Sequence, residues 1–243
     1  MNTRIDFGQP GIARYVQLGA LFRRRIETGV WKVGDRIPTL DQLVSEMGVA
    51  RATIRQALGE LEAEGLLQRY RAKGTFVTRR PSAACAVQFA TDWASLLSAH
   101  QDDAIEVLAA AKVARPPFST EARRQYAPGY QYLRRLHRRD AVPYLLGHVY
   151  LDSRIFRRLP KKRLGTTPML RMIKECKGVD IADAHQTLTI GAADVETAAL
   201  LQIPINSPVA FVHRTAFDAG GVMIYYSLGI YRGDFLRLEM TLK

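Results

Sequence analysis

The sequence predicts an α+β protein in two parts: a small basic helical head over residues 1–78 and a larger domain with an antiparallel sheet over 89–243, joined by a linker at 79–88. Three observations predict it. Apolar residues recur at helical spacing early in the chain and mostly at strand spacing later. Between the two rhythms, Arg79-Arg80-Pro81 and the small, unpatterned run PSAACA break both. Residues 1–80 carry 14 basic and 8 acidic side chains, and residues 81–243 carry 21 and 15, so net positive charge is about twice as dense in the first third.

Residues 1–10 read as a loose arm. Leu18, Leu21, Phe22 and Ile26 then mark an amphipathic helix ending near Gly29, and its Arg23-Arg24-Arg25 reads first as a solvated face, with phosphate contact as the alternative. Trp31, Val33 and Ile37 bracket a Gly34-Asp35 turn. From Pro38 to Val77 the chain reads PTLDQLVSEMGVARATIRQALGELEAEGLLQRYRAKGTFV. Leu40, Leu43, Val44 and Met47 fall on one helical face, with Thr39 and Gln42 placed to form a capping box. Gly48-Val49-Ala50 ends that helix. Ile54, Ala57, Leu58 and Leu61 stripe the next one, and Gly65 stands where a left-handed cap belongs. Two helices about a short glycine-containing turn make a helix-turn-helix.

The face opposite that second stripe carries the chemistry. At 100° per residue, Arg51 and Arg55 lie one turn apart beside Ala52 and Gln56, while Thr53 points elsewhere, toward backbone phosphate. Arginine on such a helix reaches guanine edges or phosphates in the major groove. LLQRY and TFVTR then read as two strands around a turn carrying Arg69, Arg71 and Lys73. A basic hairpin placed there reads as a wing lying along a duplex. The formal net charge of +12 and the isoelectric point near 10 favour a polyanionic partner.

VARATIRQALGELEAEGLL followed by KGTFV resembles the winged helix of the GntR family of bacterial transcription regulators, over roughly residues 12–78. The resemblance implies a DNA-binding head in which Thr39, Arg51, Ala52, Thr53, Arg55, Gln56, Arg69, Arg71, Lys73 and Gly74 face DNA. Three positions depart from the family: Ala50 stands for its usual serine cap, Leu40-Asp41 for its Glu-Arg, and Ala72 for a wing glycine. The family's usual operator is therefore not implied.

In the second domain, TDWASLLSAH reads as a short helix capped at Thr91-Asp92, and AIEVLAAAKVAR as a strand. YQYLRRLHRRD and PYLLGHVYL alternate as a hairpin. SRIFRRLP and TPMLRMIKEC read as short helices, IADAHQTLTIGA as a strand, and DVETAALLQI as a helix capped by Asp194. PVAFVHRTAFD, GVMIYYSLGIY and DFLRLEMTL read as the last three strands. With Leu201-Gln202-Ile203, His213-Arg214, Phe217-Asp218 and Tyr231-Arg232-Gly233-Asp234, this order resembles the UTRA effector domain of the HutC subfamily, related in fold to chorismate lyase. That resemblance implies a pocket for a small anionic metabolite with Thr91, Arg135, His137, Thr167, Tyr225 and Tyr231 around it. Arg135 and His137 share a strand face, and Arg135 can pair bidentately with a carboxylate or phosphate. Two positions that are acidic in many members hold Gly147 and Tyr225, which favours a flat or compact organic acid over an amino-sugar phosphate.

Only Cys85 and Cys176 occur and no Cys/His group has ligand spacing, so no disulfide framework, metal or cofactor is expected. No run spans a bilayer and MNTRIDFGQP lacks an apolar core, so a cytoplasmic protein with no membrane partner is expected. The function expected is a ligand-responsive repressor bound as a homodimer to a palindromic double-stranded operator, with dimer contacts from the effector-domain sheet. Two other readings are a chorismate-lyase-like enzyme carried on a DNA-binding module, disfavoured by the lack of a nucleophile–base pair, and a DNA binder with no effector.

Overall fold

A computed structural model describes residues 12–80, 87–89, 103–117 and 125–239. The chain divides into two compact units, residues 1–82 and 83–243.

In the first unit, α1 (Arg14–Glu27), α2 (Leu40–Met47) and α3 (Arg51–Ala63) precede a hairpin of β1 (Leu67–Tyr70) and β2 (Gly74–Val77). The stripes read from sequence are the core: Leu18, Phe22, Ile26, Leu43, Ile54, Ala57 and Leu61 are fully buried, joined by Trp31 and Ile37. Each fully buried Leu, Ile or Phe is worth about 1.5–3 kcal/mol over leaving it in water, so this stripe supplies most of the unit's driving force. The capping box forms as expected. The Gln42 N–H donates to Thr39 Oγ1 at 3.3 Å, and the Thr39 N–H donates to Gln42 Oε1 at 2.8 Å. Gly48 and Gly65 close α2 and α3 in the left-handed conformation, with φ of 66° and 72°. Ala50, by contrast, leaves α3 without a side-chain cap.

The second unit is built on a seven-stranded sheet in the order β4-β6-β7-β10-β9-β8, with β5 beside β10. Its strands are β4 (Ala104–Val113), β5 (Gln125–Tyr126), β6 (Tyr130–Arg139), β7 (Val142–Asp152), β8 (Asp183–Ala192), β9 (Pro208–Phe217) and β10 (Val222–Arg232). Every pairing along that order is antiparallel, and only the β5–β10 pair is parallel. Short helices α4 (Ser153–Arg158) and α5 (Met169–Lys174) pack through Ile155, Leu170 and Ile173 onto Leu133, Val149 and Leu151 on one face. On the other face α6 (Val195–Leu201), capped by Asp194, packs Ala198 and Leu201 against Leu136, Leu146 and Ile230.

Two expectations about the ends of this unit need correction. Among its described residues, DFLRLEMTL forms a strand only at β11 (Leu236–Arg237), which pairs in parallel with β3 (Val87–Gln88), so the end of the expected linker is already sheet. Phe235 turns inward instead, stacking on Tyr144 with ring centroids 5.5 Å apart, which ends the strand pattern after Arg232. The helix expected at TDWASLLSAH and its cap Thr91 lie outside the described residues, as does Cys85. No helix among the described residues is long and apolar enough to cross a membrane.

Candidate nucleic-acid interface and effector cavity

The second helix of the pair presents the side chains that the periodicity predicts. Arg51, Ala52, Arg55 and Gln56 are exposed, Thr53 is half-buried at the edge of the face, and Ile54 and Ala57 point inward. Arg51 is not free: its Nη1 donates to the carboxylate of Asp41 in the first turn of α2. Among the described residues no acidic side chain pairs with Arg55.

Beside this helix an open cleft of about 600 Å³ separates the wing from the start of α2. It brings Thr39, Arg69, Arg71 and Gly74 together and adds Arg36, which carried no sequence signal beyond its charge. Gly74 is required there, since its φ is +113° and a Cβ would stand 2.6 Å from Arg36 Nε. The wing turn is Arg71-Ala72-Lys73, with Ala72 held at φ 61° where glycine would be unstrained. Arg69 is displaced from that turn. It lies on β1, its N–H donates to Glu62 Oε1 at 3.1 Å, and its guanidinium sits 3.7 Å from the same carboxylate. Arg69 therefore braces the wing against α3. The triple arginine of α1 also serves the head itself, since Arg23 pairs with Glu64 and Arg25 with Glu46, each at 2.5 Å.

In the sheet domain, a narrow cavity with about 60 Å³ of free space behind an open mouth lies between the sheet and α5. Strand alternation puts Arg135, His137, Tyr225 and Tyr231 on its wall, together with Arg214 and Ser227. Its floor is bare because Gly147 on β7 pairs with Gly229 on β10. Ser227 was legible in principle, since it alternates with Tyr225 and Tyr231. Arg214 stood in the sequence as a family match without a role.

Arg135 is 1 % exposed, and one guanidinium nitrogen donates to the Leu164 and Thr167 carbonyls at 2.8 Å each. Its Nε is buried without a partner. Desolvation lowers its pKa to about 10, which leaves it charged at neutral pH. A buried cation with an unmet donor stabilises an anion brought to it. Arg214 donates to Tyr231 Oη at 3.2 Å and to Gln186. Burial pushes the Tyr225 hydroxyl up, so it stays protonated.

His137 and Thr167 do less than their positions implied. His137 Nδ1 lies 3.0 Å from Asp103 Oδ2, and the same buried carboxylate accepts from Arg139 at 3.0 Å and from the Tyr144 hydroxyl. That ring nitrogen is committed to a carboxylate rather than offered to an anion. Asp103, in a polar stretch with no periodic signal, was invisible in the sequence. The Thr167 hydroxyl accepts from Arg163 Nε at 3.3 Å, and what Thr167 gives the site is its carbonyl, holding Arg135. The following helix has six residues, too short for its dipole to hold an anion strongly.

Comparison with known proteins fits this geometry. Residues 14–77 match the family described as bacterial regulatory proteins of the gntR family, and residues 100–237 match the UTRA domain. The chain is 26% identical over 238 residues to the transcriptional repressor NagR of Bacillus subtilis, covering 93% of each chain. It is 35% identical over 94 residues to the histidine utilization repressor of Klebsiella aerogenes, 39% of each chain. The fold is similar to that of the possible transcriptional regulator YydK from Bacillus subtilis, with a TM-score of 0.53 at 18% identity over 96% of this chain and 100% of that one. Both relatives matched in sequence are named as repressors. The chain belongs to the GntR family of bacterial regulatory proteins, with a winged helix-turn-helix head and a UTRA domain.

Proposed function

We propose that this regulator represses transcription by binding a palindromic operator as a homodimer, and that a small organic anion in the UTRA cavity controls it. Two-fold repetition of the head matches two half-sites one or more helical turns apart. In the head, Arg51, Arg55 and Gln56 face bases, while Thr39, Arg36, Arg71 and Lys73 track phosphate. The linker read at 79–88 is the route by which the sheet domain would act on the head.

One observation carries the effector reading: Arg135 is a buried cation in a cavity wall, with an unpartnered Nε and no acidic side chain paired to it among the described residues. The Gly147–Gly229 floor and the Tyr225 and Tyr231 rings favour a flat or compact acid over a sugar phosphate. Control by the ligand requires only that it bind one state of the heads better than the other. Calorimetry on the whole chain with a panel of aromatic and short-chain carboxylates beside hexosamine phosphates tests the reading. Micromolar binding of a carboxylate, lost in Arg135→Gln, supports it; preference for a sugar phosphate overturns the ligand class.

A further inference from the structure

We infer that Asp41 is a specificity-determining residue of the head. It holds the Arg51 guanidinium in the orientation that reads a guanine, and it penalises contact with DNA that lacks one. The inference rests on the reading of α3 as the helix that enters the major groove.

Arg51 is the first residue of α3 and Asp41 the second residue of α2, so the ion pair spans the turn between the two helices. Both side chains are open to solvent, at 54% for Arg51 and 76% for Asp41. An exposed pair of this kind adds little to stability. Its consequence is geometric. A free arginine side chain gives up considerable rotamer freedom when it docks, whereas a planar fork already held in place gives up less. Only Nη1 is used by Asp41, which leaves the Nε and Nη2 edge to donate side by side. Guanine O6 and N7 are the major-groove acceptors that such an edge fits.

The carboxylate acts in the opposite direction on every other duplex. Asp41 is an exposed negative charge in the first turn of α2, on a head whose Arg36, Arg51, Arg55, Arg71 and Lys73 are also exposed. It repels phosphates whatever the sequence and draws Arg51 away from them. A site that supplies the guanine recovers the loss through Arg51; a site that does not cannot. Arg55, with no carboxylate partner among the described residues, is under no such restriction. The two arginines therefore divide the work, Arg51 fixed and selective, Arg55 adaptable.

The test is selection from a randomised duplex library with the full chain as wild type, Asp41→Ala, Arg51→Ala and the double variant. Affinities for the selected site and for a mixed-sequence duplex are then measured over a salt series, and melting curves verify that each variant folds. Wild type should enrich sites with an invariant guanine that both single variants relax. Asp41→Ala should lower the ratio of specific to mixed-sequence affinity about tenfold, within the range of one bidentate base contact, while binding mixed-sequence duplex more tightly than wild type. In the double variant the Asp41 change should tighten binding to both duplexes alike and leave their ratio at that of Arg51→Ala. An unchanged guanine preference and ratio in Asp41→Ala, or a further fall of the ratio in the double variant, overturns the assignment. Failure of the wild type to enrich any sequence overturns the reading beneath it.

Discussion

Gly147 and Gly229 face one another across β7 and β10, and the same row places Arg135 beside Gly147. The cavity thus has a floor of bare backbone with a buried cation at its side. A Cβ at Gly147 would meet nothing nearer than the Arg135 carbonyl at 3.7 Å, whereas at Gly229 it would meet the Tyr231 ring at 2.9 Å. Gly147 can therefore accept a side chain, and Gly229 cannot without displacing its neighbours.

Gly147→Glu should fold and lose the effector. Its carboxylate would sit beside Arg135 and take the place of an incoming anion, and a charge-assisted hydrogen bond of about 1.5–3 kcal/mol predicts at least a tenfold loss of carboxylate affinity. Calorimetry on the variant, with its melting temperature close to wild type, is the measurement.

Ala50→Ser should stabilise the head. The N-cap of α3 has extended backbone, φ −60° and ψ 142°, but no side-chain acceptor for the first N–H groups of the helix. A serine hydroxyl supplies one, worth about 1 kcal/mol. Urea denaturation of the full chain should show the gain in the transition that reports the head.

Lys73→Ala and Arg55→Ala should separate phosphate from base contacts. Lys73, on the wing turn, should weaken operator and mixed-sequence duplex alike and reduce the salt slope by roughly one. Arg55, if it meets a base edge, should cost about 1–3 kcal/mol at the operator and far less on mixed sequence. Anisotropy titrations between low and physiological salt distinguish the two.

His148 should make stability fall in mild acid. Burial and then the Arg134 charge lower its pKa, and its Nδ1 lies 2.8 Å from the Tyr132 hydroxyl. The unfolded chain therefore binds the proton more readily, so this stability is present above the unfolded value near 6.5 and is lost as pH falls through it toward the lower folded value. The ring is partly exposed, so screening keeps the loss small. Denaturation midpoints at pH 7.5 and 5.5 should differ less in His148→Gln than in wild type.

The head was legible in the sequence because its determinants are local. The stripe of Ile54, Ala57, Leu58 and Leu61, the Thr39–Gln42 box and Gly65 each act within a few residues. Its ion pairs were not legible: Asp41 with Arg51 and Glu62 with Arg69 join elements whose approach only packing sets. In the sheet domain, strand alternation placed Arg135 and Tyr225 on one wall. It could not show that His137 would be taken by Asp103, 34 residues away. Nor could it show the pairing of Gly147 with Gly229, which follows from the register of strands distant in the chain.

The central claim, that occupancy of the cavity beside Arg135 governs DNA binding by the head, is tested most directly by measuring operator affinity of the full chain with and without a carboxylate found by calorimetry. Saturating ligand should weaken operator binding at least fivefold, within the usual range of coupling between sites, and Arg135→Gln should bind the operator like wild type and show no response. Equal operator affinity with and without bound ligand, or a full response in Arg135→Gln, would contradict it.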